Sequence, residues 1–210
     1  MTFEVHCTLY FVLLVLCLIG MLFWLFYGPI KCFLGSHFTV RIFYRTVNRV
    51  VLDNDFYLIN CFKAKANDEG TFHIDHIVIG DKYIYVIKDR YFNGTLLSNP
   101  HDEQWVYYNG HSCKYIQNPL VYNRIRADRL TLLTTISNSV VIPIVLINDD
   151  CFYTPFKQDA ETGYFVSRRQ LGKFIESKEA EDVPMLNPNS AKFAANDIAR
   201  LKNLYGDYDE

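Results

Sequence analysis

The sequence predicts an α/β domain built around a mixed β-sheet flanked by helices and preceded by one N-terminal transmembrane helix. Three observations carry this. Residues 7–28 open with an uncharged run, CTLYFVLLVLCLIGMLFWLFY. Residues 71–94, TFHIDHIVIGDKYIYVIKDRYFNG, read as a β-hairpin with a turn signal at Gly80-Asp81. Around it, amphipathic patterns alternate with short apolar runs in the order helix, strand, hairpin, hairpin, helix, strand, helices. Half of the 210 residues are hydrophobic and 16% aromatic, which calls for a packed core rather than disorder. The formal net charge of −2 excludes a global electrostatic footprint for nucleic acid, so any polyanion contact must come from a local patch.

The uncharged run spans roughly 31 Å as a helix, the thickness of a bilayer core. Trp24, Phe26 and Tyr27 suit the interface, and Gly28-Pro29 ends the helix. A buried core helix and a cleaved signal peptide are the alternatives. Residues 1–6 carry Glu4 and no Lys or Arg, and no Ala-x-Ala site follows, which argues for a retained anchor. Lys31, Arg41, Arg45 and Arg49 follow the span and no Lys or Arg precedes it. Residues 1–6 are therefore expected outside and the C-terminal domain in the cytoplasm. The cysteines at 7, 17, 32, 61, 113 and 151 show no C-x-x-C or zinc spacing and read as reduced thiols.

In the soluble part, Ser36 or Thr39 caps a first helix with Val40, Phe43, Tyr44, Val47 and Val51 at helical spacing. Its other face carries Arg41, Arg45 and Arg49, a basic stripe suited to solvent beside anionic lipid or, as the second reading, to nucleic acid. Residues 56–61 read as a strand and 63–70 as a polar loop. After the central hairpin come a short strand at 95–97, the loop SNPHDE, and a second hairpin around Asn109-Gly110. Asn118-Pro119 opens a helix running to about Ser137, with Arg126 and Arg129 on one face and Arg124 about 160° from Arg126. VVIPIVLIN at 140–148 has the composition of a strand buried on both faces, and its Pro143 points to an edge or a bulge. A strand at 163–166, a capping box at 167–170 opening a helix with Leu171, Phe174 and Ile175 inward, and a last helix over 191–204 complete the domain.

The central hairpin holds the chemistry. Side chains alternate along a strand, so His73, Asp75, Ile77 and Ile79 share one side. With Asp81-Lys82 as a two-residue loop, Asp75 lies opposite Lys88 and Arg90 opposite His73, while Asp89 points to the other face. A carboxylate among isoleucines needs a cation, a metal or hydrogen-bond donors. His73, Asp75, His76 and His101 do not make a zinc set, because alternation turns His76 away. Trp105, Tyr107 and Tyr108 read as core aromatics, with base stacking the second reading.

Ile74-Asp75-His76, Gly94, Trp105 and Asn118-Pro119 resemble the nuclease-related domain (NERD) family, a branch of the restriction-endonuclease-like folds, over about residues 35–205. The resemblance implies a metal-dependent nuclease fold in which Asp75 faces a Glu-x-Lys on the next strand. Here Lys88 and Arg90 hold those two positions, Tyr122 stands where a glutamine is usual, and the first helix, HFTVRIFYRTVNRVV, lacks the family's acid. Magnesium chemistry needs at least two acidic ligands and a lysine beside the water. Asp75 supplies one ligand at most, an ammonium at 88 repels a cation, and Arg90 is a poor base. The expected protein is thus a membrane-anchored pseudo-nuclease with degenerate site positions Asp75, Lys88 and Arg90 and no cofactor, binding DNA or other proteins. The alternatives are an active Mg²⁺-dependent DNA endonuclease with a rearranged site and a structural envelope scaffold. The domain plan is a short N-terminus at 1–6, the membrane helix at 7–28, the NERD-like domain at 35–205 and an acidic tail at 206–210.

Overall fold

A computed structural model describes residues 13–21, 41–65, 70–110, 112–134 and 136–206. The chain divides into two compact units, Met1–Ile42 and Phe43–Glu210. In the first, residues 13–21 are helical with exposed side chains. Among the described residues no helix is long and apolar enough to cross a membrane, and most of the predicted 7–28 span lies outside them.

The second unit is layered. Helix α1 (residues 41–54, the first two falling in the other unit) leads into β1 (Tyr57–Lys65), β2 (Thr71–Ile79) and β3 (Ile84–Arg90). Next come β4 (Thr95–Leu97), β5 (Gln104–Tyr108), β6 (Cys113–Gln117) and α2 (Pro119–Leu133). The chain ends with β7 (Val141–Ile147), β8 (Phe152–Tyr153), β9 (Tyr164–Ser167), α3 (Leu171–Glu179) and α4 (Pro188–Gly206). The main sheet has the order β1-β2-β3-β7-β9, antiparallel over its first three strands and parallel from β3 onward. A second sheet, β6-β5-β4-β8, is also mixed.

One face of the main sheet is covered by α1 and α3: Phe43, Val47, Val50, Leu171 and Ile175 pack on Val78, Tyr85, Ile87 and Ile144. On the other face Ala127 and Leu130 of α2 and Ile198 of α4 cover Phe62, Ile77, Ile79, Ile84 and Val86. A third cluster seats Trp105 and Leu96 of the small sheet against Leu120, Val145, Ile147 and Phe165. Trp105 is thus core, with its indole N–H donating to the Asn99 carbonyl at 2.7 Å. Arg45 and Arg49 of the basic stripe are exposed.

Several expectations are corrected. Strand β1 continues to Lys65 through the supposed polar loop, because Phe62 and Ala64 bury their side chains while the backbone pairs with β2. Helix α2 stops at Leu133, where the Thr134 hydroxyl donates to the Leu130 carbonyl. No capping box forms at Ser167; Asp149 accepts from the Arg169 amide and the Arg168 guanidinium instead. Strand β8 had no sequence signal, being two residues long.

Strand β7 is interior, running between β3 and β9, but Pro143 itself pairs only with Val86, because the β9 ladder starts at Ile144. A proline has no N–H to give a neighbouring strand. Asn123 of α2 supplies donors at that level, its amide giving one hydrogen to the Val86 carbonyl and one to that of Ile144, each at 3.0 Å. Asn118 caps the same helix from a fully buried position, accepting from the Leu120 amide while its own NH₂ donates to the carbonyls of Pro100 and Asp102. Asparagines therefore fix α2 on the sheet at two points. Asn123→Ala leaves two buried carbonyls without their donor, and we expect it to lower unfolding stability by about 1–3 kcal/mol in urea denaturation. A change within about 0.5 kcal/mol would show that the asparagine does not brace β3 against β7.

Candidate functional site

The site grows from a break in the β1–β2 ladder. The two strands pair with constant register on either side of Cys61 and Asp75, but these two residues do not pair. Cys61 has φ +52°, a left-handed conformation uncommon for a residue with a side chain. The sidedness of β2 changes there: Phe72 and Ile74 pack on the α2 face, and so do Ile77 and Ile79. Strict alternation would have put those pairs on opposite faces. Asp75 sits in the break and His76 beside it, still paired with Asn60, and the side chains of both reach β3.

Across the hairpin, β3 pairs with β2 from Ile79↔Ile84 to His76↔Ile87. Extended by one residue, that register sets Asp75 opposite Lys88, and the ion pair forms with Nζ 2.7 Å from Oδ1. The ladder then ends. The Asp89 amide donates to Asp75 Oδ2 at 2.8 Å, so a side chain takes the place of a strand carbonyl. The β2–β3 ladder does not reach His73, whose expected partner was Arg90. His73 pairs with Lys63 on β1 and turns its Nδ1 to Asp75 Oδ1 at 3.1 Å. Arg90 is exposed at the end of β3.

Burial raises the Asp75 pKa, but hydrogen bonds from His73 and Lys88, the Lys88 charge and the Asp89 amide outweigh it. The carboxyl is held well below the usual carboxylate range.

Alternation turns both His76 and Asp89 to the face away from Asp75 and Lys88. There His76, 4% exposed, lies between Asn60 and Asp89, with Nδ1 2.5 Å from Asn60 Oδ1 and Nε2 2.9 Å from Asp89 Oδ2. Tyr44 of α1 tilts over the imidazole at 6.2 Å between ring centres. The bond to Asp89 needs one proton, held by either partner. Burial pushes the Asp89 carboxyl up, His76 draws it down and Asp75 raises it again, with a net rise. Its Oδ1 is buried with no hydrogen-bond partner among the described residues. His101 stays in an exposed loop outside this network. The one sequence signal for the His76–Asp89 pair was the run of two polar residues, Asp75-His76, inside an apolar strand.

These residues do not fit a magnesium-type ion. Such an ion takes carboxylate and water oxygens at about 2.0–2.1 Å. Both Asp75 oxygens are already engaged, and the cation on Oδ1 is the Lys88 ammonium. Among the described residues, no group of three His, Cys, Asp or Glu side chains is placed to hold a metal.

A mixed sheet between helices, with an aspartate on its central hairpin facing the next strand, defines an α/β domain of the nuclease-related type. The chain belongs to the nuclease-related domain family, which matches residues 40–148, just over half of its length. No curated protein matches it significantly. Among solved structures, the crystal structure of a protein of unknown function, AF1548, aligns at 13% identity and a TM-score of 0.39, covering 79% of this chain and 98% of that one.

The Asp75–Lys88 pair makes a testable energetic claim. Both side chains are under one-fifth exposed, at 18% and 14%, so removing Lys88 leaves a largely buried carboxylate without its cation. We expect Lys88→Ala to cost about 2–3 kcal/mol and Asp75→Ala/Lys88→Ala to recover part of it, with a coupling of about 1 kcal/mol or more. The folded-state pKa of Asp75 lies below its unfolded value. Its contribution is therefore present above about pH 4 and is lost as pH falls further. Lys88→Ala should flatten that acid limb of the stability profile. Additive single-mutant effects and an unchanged acid limb would remove the pair as a stabilising feature.

Proposed function

We propose that this protein is a membrane-anchored pseudo-nuclease: a restriction-endonuclease-like NERD domain that binds nucleic acid without metal-dependent cleavage. The observation that carries this is the Lys88 ammonium, 2.7 Å from Asp75 Oδ1 at the position where the family's second carboxylate is expected. A fixed internal cation satisfies the aspartate that would otherwise recruit a metal. Membership of the nuclease-related family supports a nucleic-acid partner, and the residues displayed beside Asp75 are cationic. The uncharged run within residues 7–28 supports an anchor that leaves the domain in the cytoplasm.

The test uses the full chain, extracted from membranes in detergent after an alkaline carbonate wash that leaves an anchored protein in the pellet. Supercoiled plasmid incubated with it in Mg²⁺ or Mn²⁺ should remain intact, while a labelled duplex should bind in EDTA with an affinity that falls as salt rises. Plasmid cleavage that disappears in Asp75→Ala would return the protein to the metal-dependent endonucleases. Absence of duplex binding at low salt would favour a scaffold that binds other proteins.

A further inference from the structure

The small sheet β6-β5-β4-β8 has one face in the core and one in water. Leu96 and Trp105 are buried with Val145, Ile147 and Phe165, and Tyr107, Ile116 and Tyr153 pack on the same cluster. Side chains alternate along a strand, so the neighbours of these residues point away from the core. The cross-strand register sorts the outward residues into rows. Phe152, Thr95, Tyr108 and Cys113 form one row, and Leu97, Val106 and Tyr115 the next. Gln104 and Gln117 end the face. All but Val106 are exposed, Tyr115 and Phe152 at 73% each.

None of these side chains is charged. Lys114 is the one charged residue in the four strands, and alternation turns it to the other side, where its ammonium lies 5.4 Å from the centre of the Tyr107 ring. In a chain with 21% charged residues, an exposed sheet face with aromatic and aliphatic side chains and no charge has the composition of a contact surface.

Charge decides what it contacts. A polyanion binds through Lys and Arg set against its phosphates, and this face offers none. A charged peptide would lose the hydration of its ions against a surface without counter-charges. The match is another uncharged apolar face, and a two-fold axis brings one of identical composition from a second copy. Size decides how tightly. Four strands about 4.8 Å apart, with about five residues at 3.3 Å each, cover roughly 300 Å² per copy and about 600 Å² in a pair. Stable complexes bury about 1,200 Å² or more, so this contact is weak and reversible.

We infer that the outer face of the small sheet is a self-association surface, joining two copies of this chain in a weak two-fold dimer with Tyr115 and Phe152 as aromatic anchors. The dimer does not depend on the nucleic-acid reading.

Sedimentation equilibrium of the full chain in density-matched detergent, across a wide range of protein concentration, tests it. Wild type should pass from monomer to dimer as concentration rises, and so should Leu132→Lys, a control at an exposed apolar site on α2. Tyr115→Lys and Tyr115→Glu should each associate roughly tenfold more weakly. An equimolar mixture of the two should recover part of the loss, because like charges no longer share one interface. Should Tyr115→Lys fail to fold, as judged by circular dichroism, Phe152→Lys on the opposite edge strand should show the same loss. A wild type that stays monomeric throughout would overturn the inference. A dimer equally strong in Tyr115→Lys and Phe152→Lys, or a mixture no stronger than its components, would do the same. Weaker binding of a labelled single strand by Tyr115→Ser, with its mass unchanged, would overturn it in favour of base stacking on this face.

Discussion

The domain depends on how one carboxylate is held. Asp75 lies in the second strand of a sheet whose neighbouring positions are isoleucines and valines, and an ionised group there is tolerated only when both oxygens are engaged. Lys88 and His73 share Oδ1, and the Asp89 amide takes Oδ2. That last bond has a structural consequence. It draws β3 onto the side chain of β2 at the point where their backbone ladder ends, so the carboxylate closes the sheet where two carbonyls do not. It also brings Asp89 to His76 and, through His76, to Asn60 on β1. The same strand end therefore serves two polar networks, one through Asp75 and one through His76.

The rest of the fold supplies rigidity around this point. Asn123 compensates for Pro143 in an interior strand, and Asn118 fixes the start of α2 against the loop before β5. Asn148 locks the ends of β3 and β7 together, donating to the Phe92 carbonyl and accepting from its amide. At the far end of the hairpin Gly80 lets α3 approach closely, and Glu179 accepts from the Lys82 amide and the Tyr85 hydroxyl. The hairpin is thus tied down near both ends.

Much of this was legible in the residues. The two-residue loop at Asp81-Lys82 and the β-branched pattern set the register that puts Asp75 across from Lys88. Asn118-Pro119 announced a helix cap, and Trp105 read as core. What was not legible has a common cause: side chains acting on backbones far away in sequence. Nothing in the local run marks Cys61 as left-handed, and alternation alone does not bring His76 to both Asp89 and Asn60. Pro143 signals an edge by itself, and its β9 side is unpaired although β7 is an interior strand. Asp149, rather than Ser167, holds the start of the 168–170 turn for the same reason.

The proposed reading is of a nuclease-related domain in which cations stand where a metal and its ligands are expected, with Lys88 as the central substitution. The most direct measurement is manganese binding by the full chain, read as loss of the free-Mn²⁺ resonance in electron paramagnetic spectra. Wild type should leave that signal undiminished, and Lys88→Glu, which places a second carboxylate across from Asp75, should take up the ion. Stoichiometric uptake by wild type that is abolished in Asp75→Ala would contradict the account.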